Sequence, residues 1–212
     1  MKIALLGAES TGKTRLAGEL AVKLRAQAKS VAVVSEVLRE WCEREGRAPL
    51  PGEQMPIARE QEHRVDAAAT GHDVVIADST ALMVAIYSGM LFEDGALYRF
   101  ALERQRRYDV TLLTGLDLPW VPDGLQRQGP QVQVQEQVDA LIRNALADAG
   151  VAYRVVYGQG KERVASALAA IDSAPPVSEP TVPATRWQWN CEKCSDPQCE
   201  RRLFTRALPA CG

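Results

Sequence analysis

The sequence predicts an α/β fold, a three-layer sandwich on a mostly parallel five-stranded sheet, followed by a short Cys-rich C-terminal tail. Three observations carry this. Five short apolar, β-branched runs recur with amphipathic segments between them, and each run is too continuous for a strand with one wet face. The 212 residues, 46% hydrophobic and 25% charged, suffice for one ordinary core. Composition then changes: four of the 12 prolines (Pro175, Pro176, Pro180, Pro183) fall within 173–186, and four of the five cysteines come after them.

In chain order, the run Lys2-Ile3-Ala4-Leu5-Leu6 predicts a first strand, and the apolar periodicity after Gly12 predicts a helix over 12–28. A strand over 31–35 leads into helices over 36–45 and 53–70. The run ending Val74-Val75-Ile76-Ala77-Asp78 predicts a third strand over 73–78, with helices over 80–90 and 95–107 behind it. A fourth strand over 109–114, a helix over 132–149, a fifth strand over 153–157 and a helix over 161–171 complete the main domain, residues 1–172. Right-handed crossovers then place helices on both sheet faces. Residues 173–186 read as a Pro-rich linker. Residues 187–212 form a unit too small to fold on apolar burial alone.

With 25 Lys+Arg against 27 Asp+Glu, the net charge of -2 supplies no general pull toward nucleic acid or anionic lipid. The chain has no apolar run of the ~18 residues a membrane span needs, and its apolar start is too short for a signal peptide. A cytoplasmic protein without nucleic-acid or membrane partners is expected.

The strongest motif is Gly7-Ala8-Glu9-Ser10-Thr11-Gly12-Lys13-Thr14, which fits G-x-x-x-x-G-K-[ST] between a predicted strand and a predicted helix. Gly7 and Gly12 permit the backbone angles that turn N–H groups toward phosphate oxygens, and the helix dipole adds to them. Lys13 then reaches the β- and γ-phosphates of ATP, and the Thr14 hydroxyl is a ligand for Mg²⁺. The fold is therefore expected to be a P-loop NTPase or kinase fold. Asp78, at the carboxyl edge of its strand, is the second expected Mg²⁺ ligand; the alternative is a cap for the helix that follows, helped by Ser79 and Thr80.

No Asn-Lys-x-Asp segment reads guanine, and Asp78 precedes Ser79 where a motor ATPase of the AAA+ type would carry Asp-Glu. A small-molecule kinase remains. It needs a carboxylate for the acceptor proton, a cation for the migrating phosphoryl group and a lid. Glu36, at the end of the second strand, is the candidate base, with Arg39 one turn later on the same helix face; both alternatively serve as ordinary helix-end charges. Arg127, in the loop-like stretch from Trp120 to Gly129, is the lid cation. Arg104, Arg106 and Arg107 compete for that role but are expected at the solvated end of a helix. Trp41, Tyr87 and Trp120 are candidates to stack on a flat base, or are core packing.

Several blocks match in order: Glu9-Ser10-Thr11-Gly12-Lys13-Thr14, Glu36 with Arg39-Glu40, Ile57-Ala58-Arg59-Glu60-Gln61, Asp78, Tyr108-Asp109 through Leu112-Leu113-Thr114, and Pro119-Trp120-Val121 with Asp123-Gly124-Leu125. Over about residues 1–172 they resemble the nicotinamide riboside kinase domain of NadR-type proteins. The resemblance implies transfer of the ATP γ-phosphate to the ribose 5′-hydroxyl of nicotinamide riboside, in NAD salvage, with Glu36, Arg39, Gln61 and Asp78 on the acceptor side. The chain departs from the family pattern in three places. Asp-Thr-Asp is Asp78-Ser79-Thr80, the lid Asp-Gly-Leu-Arg is Asp123-Gly124-Leu125-Gln126 with Arg127 displaced by one position, and Gly-Gln is Glu60-Gln61.

In the tail, Cys191, Cys194 and Cys199 have the spacing C-x₂-C-x₄-C, and Cys211 follows. Such thiolates suit Zn²⁺, with Cys211, His63 or His72 as fourth ligand. An iron–sulfur cluster or redox-labile thiols are the alternatives. A nucleotide-dependent regulatory or metal-handling ATPase, with the tail as its working end, is the second functional reading.

Overall fold

The computed structural model describes residues 1–90, 95–119 and 132–173. The Pro-rich linker beyond 173, the Cys-rich tail and Trp120 through Arg127 lie outside the described residues. The elements are β1 (Lys2–Leu6), α1 (Lys13–Arg25), β2 (Val31–Val34), α2 (Val37–Glu45), α3 (Pro51–Ala69), β3 (Val74–Asp78), α4 (Ala81–Gly89), α5 (Gly95–Gln105), β4 (Val110–Thr114), α6 (Val132–Asp148), β5 (Arg154–Val156) and α7 (Gly160–Asp172). The strands lie in the order β2-β3-β1-β4-β5, and every described pairing is parallel.

Each central strand is buried on both faces because its side chains alternate between two helical layers. Ile3 and Leu5 of β1, Val74 and Ile76 of β3 and Leu112 of β4 pack with Leu16, Leu20 and Leu24 of α1 and Val164 and Ile171 of α7. Leu6 and Leu113 face the opposite layer, formed by apolar residues of α2 to α6, and Ala4, Val75 and Ala77 meet Val65 of α3. The continuous apolar runs therefore contain two interleaved patterns of period two.

The elements lie where the sequence places them, with informative exceptions at the ends. Helix α3 starts at Pro51 rather than residue 53, since proline costs nothing at a first position whose N–H is unpaired in any helix. Glu53 Oε2 accepts from Leu50 N at 2.6 Å and anchors that start. Arg104 is a correction: it is not at a solvated helix end. Its side chain is 14% exposed and pairs with Glu62 and Asp66, while Lys2 Nζ donates to Asp66 at 3.0 Å. A cationic head flanked by two carboxylates can be withdrawn from water, which helix polarity alone does not anticipate. Among the described residues no helix is long and apolar enough to cross a membrane.

Burial pushes the Glu62 carboxyl above its ordinary value, although the Ala81 amide, Arg104 and the Tyr108 hydroxyl favour the charged form. The native state thus keeps this proton to higher pH than the unfolded chain. The stability it contributes is complete below the unfolded value near 4.5 and is lost as pH rises through the folded one. Glu62→Gln is expected to remove that component from a series of unfolding free energies taken upward from pH 4. An unchanged slope would refute the assignment.

Candidate active site

In open parallel sheets, ligands bind beyond the carboxyl ends of the strands where the connections diverge to opposite sides. Here that point is β1, whose neighbours are β3 and β4. The chain leaves β1 through Gly7 (φ 151°), passes Ser10 in the left-handed region (φ 54°) and enters α1 through Gly12 (φ 76°).

The loop is held by its carbonyls. Lys13 Nζ donates to Gly7 O at 2.9 Å and Ala8 O at 2.8 Å, so its ammonium is carried inside the loop. Beneath it, Thr11 Oγ1 lies 2.7 Å from Ala8 O and 2.7 Å from Thr114 Oγ1, which is 3.1 Å from Leu6 O. Two hydroxyl protons thus serve three contacts. Gln135 Nε2 donates to Glu9 O, and Arg163 Nη2 donates to Thr11 O at 2.8 Å. Because a trans peptide points its C=O and the next N–H in opposite directions, a carbonyl held from outside the loop, as Glu9 O is by Gln135 and Thr11 O by Arg163, turns the N–H that follows it toward the loop interior. That geometry suits an anion.

Glu36 ends the β2 edge as the residue before α2, with a side chain 11% exposed. Arg39 Nη2 lies 3.1 Å from Glu36 Oε2, and Arg39 Nη1 donates to Thr14 Oγ1 at 3.2 Å. Three expected site residues, Glu36, Arg39 and Thr14, are therefore brought together. Gln61 is also here, but it is 1% exposed and engages backbone: Oε1 accepts from Val37 N at 2.8 Å, and Nε2 donates to Ser35 O at 3.3 Å. It grips the chain on both sides of Glu36, which gives it a positioning contact for that carboxylate.

Asp78 ends β3 paired with Leu5 of β1, beside the loop, and is 3% exposed. Its Oδ1 is buried without a hydrogen-bond partner. The helix that follows is capped by others. Thr80 Oγ1 accepts from Leu82 N at 3.2 Å, and Glu62 Oε1 accepts from Ala81 N at 3.0 Å. Thr80 also donates inward to Gln105 Oε1 at 2.7 Å. Ser79 between them has φ 85°, a conformation costing about 1–3 kcal/mol for a residue with a Cβ. A buried carboxylate oxygen without a partner, at the end of the strand beside β1, is a hard oxygen donor of the kind that fits Mg²⁺.

The other candidates are distributed differently. Trp41 is partly buried with the Arg47 guanidinium 4.8 Å from its ring centroid, and Tyr87 packs against the helical layer over one sheet face. Arg106 Nε donates to Ala149 O at 3.1 Å, and a ring nitrogen of His72 is 2.9 Å from Ala68 O. Among the described residues, no three His, Cys, Asp or Glu side chains cluster as a metal site. Arg127 and Cys191, Cys194, Cys199 and Cys211 lie outside the described residues.

Sequence reasoning missed Thr114, Gln135 and Arg163, which stand 103, 126 and 152 positions from their loop partners. Only Thr114 left a signal, a polar side chain at the end of an otherwise apolar run. Beside the loop, Gly12, Arg15, Leu118, Gln159, Gly160 and Arg163 line a cavity of about 400 Å³.

Over residues 2–163 the sequence matches the model of the AAA domain family. No curated protein matches it. Among solved structures, NadR protein in complex with NR is similar, at 16% identity and a TM-score of 0.65 over 84% of this chain and 51% of that one. NadR protein in complex with NAD and AMP-PNP gives 16% identity and 0.63 over 82% and 49%. Thymidylate kinase from Ehrlichia chaffeensis gives 13% and 0.59 over 81% and 98%. The chain thus spans about half the length of the NadR chains, and the likeness is one of fold, the P-loop kinase fold.

Proposed function

The chain belongs to the AAA domain family, and on that premise we propose that it is an ATP-dependent kinase transferring the γ-phosphate to a hydroxyl of a nucleoside-like acceptor, nicotinamide riboside first. The carrying observation is the Arg39 bridge, which ties the carboxylate of Glu36 to the Thr14 hydroxyl of the phosphate loop. An acceptor held by Glu36 is thereby kept next to the nucleotide. The solved NadR structure that holds NR supports this choice of acceptor.

In this reading the loop N–H groups of residues 7–14 and the Lys13 ammonium hold the phosphates, and the cavity beside Gly12 and Arg163 takes the nucleoside part of ATP. Glu36 accepts the proton of the acceptor hydroxyl as the phosphoryl group leaves, and Arg39 orients Glu36. Thr14 and Asp78 would hold Mg²⁺, which on binding neutralises the charge of the transferring phosphate. Arg127 is proposed as the lid cation. That Ser79 rather than a carboxylate follows Asp78 supports transfer to an acceptor over water activation.

The test incubates the protein with Mg-ATP and a nucleoside panel, comparing phosphorylated product with substrate-independent ADP release. Product from nicotinamide riboside supports the reading. ATP turnover indifferent to every nucleoside refutes it and favours the regulatory ATPase. Asp78→Asn is expected to raise the Mg²⁺ concentration for half-maximal turnover about 10- to 100-fold; an unchanged Mg²⁺ curve removes Asp78 from the metal site. For the proposed tail of residues 187–212, Zn²⁺ on Cys191, Cys194, Cys199 and Cys211 predicts about one zinc per chain by metal analysis, lost on removal of the tail.

A further inference from the structure

Arg163 lies in the first turn of α7, and its side chain is 5% exposed. Burying a guanidinium is costly unless its N–H groups find acceptors. Three of the contacts are with loops rather than with the helix that carries it. Nη2 donates to Thr11 O of the phosphate loop at 2.8 Å, and Nη1 donates to Gly158 O at 2.9 Å and to Asp117 Oδ1 at 3.0 Å. Asp117 Oδ2 in turn accepts from Gly158 N at 2.6 Å. One cation therefore joins the phosphate loop, the segment after β4 and the turn before α7. Those same three segments wall the 400 Å³ cavity. Nε of Arg163 is buried without a partner, so the group is not optimised for stability alone.

We infer that Arg163 is a positioning residue of the nucleotide site: it pins the Thr11 carbonyl outward, so that the Gly12 N–H is aimed at the phosphates before nucleotide arrives, and Asp117 holds it in place. The inference rests on the reading of the loop as an ATP site. Preorganisation of this kind removes an ordering cost from binding. Its loss weakens ATP binding in ground state and transition state alike, which appears in KM rather than in kcat. Nothing in the G-x-x-x-x-G-K-[ST] motif specifies this arginine, since it reaches the loop from the opposite end of the domain.

The experiment measures KM for Mg-ATP, kcat and the KM for the acceptor in Arg163→Lys, Asp117→Asn and the double variant, with Mg-ATP binding by calorimetry. Lysine keeps the charge but has no planar fork to span Thr11, Gly158 and Asp117. Arg163→Lys is expected to raise KM for Mg-ATP on the order of tenfold, the scale of a buried acceptor left poorly paired, with kcat and acceptor KM changed much less. Asp117→Asn is expected to act in the same direction, and the double variant to show less than the product of the two effects, because Asp117 works through Arg163. Should Arg163→Lys fail to fold, Asp117→Asn decides, since that side chain is 29% exposed and tolerates an isosteric change. Unchanged KM for Mg-ATP in the folded variants, or a loss confined to kcat, overturns the inference while leaving the kinase reading in place. A wild-type protein that binds no Mg-ATP overturns both.

Discussion

Glu36→Gln is expected to lower turnover by about 10²- to 10⁴-fold, the usual contribution of a positioned general base, while leaving Mg-ATP binding intact. The side chain sits where the β2 edge turns into α2, mostly buried, with Arg39 3.1 Å away and Gln61 bonded to the backbone on both sides. Glutamine has the same shape, so the turn and its Gln61 contacts persist. It cannot take a proton from an acceptor hydroxyl. Arg39 touches Glu36 through Nη2 and Thr14 through Nη1, so a neutral glutamine leaves the arginine's bond to the loop hydroxyl available. Calorimetry with Mg-ATP and single-turnover kinetics with the acceptor separate the two effects. Turnover within a few-fold of wild type would take the base role away from Glu36. A loss of Mg-ATP binding would make it a structural member of the loop.

The second large effect is expected at Gly7. A Cβ built there lies 2.0 Å from Thr114 Oγ1 and 3.0 Å from Thr11 Oγ1, and the backbone has φ 151°. Gly7→Ala meets both penalties, about 1–3 kcal/mol for overpacking and about 1–3 kcal/mol for a backbone that side chains resist. A lower melting temperature and the loss of Mg-ATP binding are expected together, because relief requires the loop to move off Thr114. Adding Thr114→Ala removes the nearer clash but not the φ strain, so the double variant should regain part of the stability. Thermal unfolding of the three proteins measures this. Gly7→Ala within ~0.5 kcal/mol of wild type, the range of an unremarkable surface change, would contradict the close approach.

The elements were legible because their signals are local. β1 to β5 announce themselves as apolar runs, and the Gly7 to Thr14 motif sits between a strand and a helix where its glycines are sterically required. The boundary at Pro51 was less legible, since a proline there can begin a helix as well as break one. Arg104 was misread for a different reason. Its position near a helix C-terminus suggested solvent, but α3 supplies Glu62 and Asp66 from across the layer.

The acceptor side shows the same division. Glu36 and Arg39 are candidates by position, and Asp78 by the strand it ends. The family pattern places Gln61 on the acceptor side, and the structure adds that its amide bonds the backbone of Ser35 and Val37. That Asp78 leaves capping to Thr80 and Glu62 could not be read from Asp78-Ser79-Thr80 alone, because either Asp78 or Thr80 is chemically able to cap.

The sequence by itself determined the strand and helix order, the phosphate loop and the carboxylates at the strand ends, since each depends on residues within one or two turns of chain. Only the tertiary structure decided what holds the loop: Thr114 beneath it, Gln135 on Glu9 and Arg163 on Thr11. These bonds link residues more than a hundred positions apart, and a lone threonine, glutamine or arginine leaves no periodicity or spacing to mark it. Gln135 and Arg163 bond backbone carbonyls, which every residue presents alike, and Thr114 bonds the hydroxyl of Thr11, so the pairing exists only once the sheet has brought the ends of β1, β4 and α7 together.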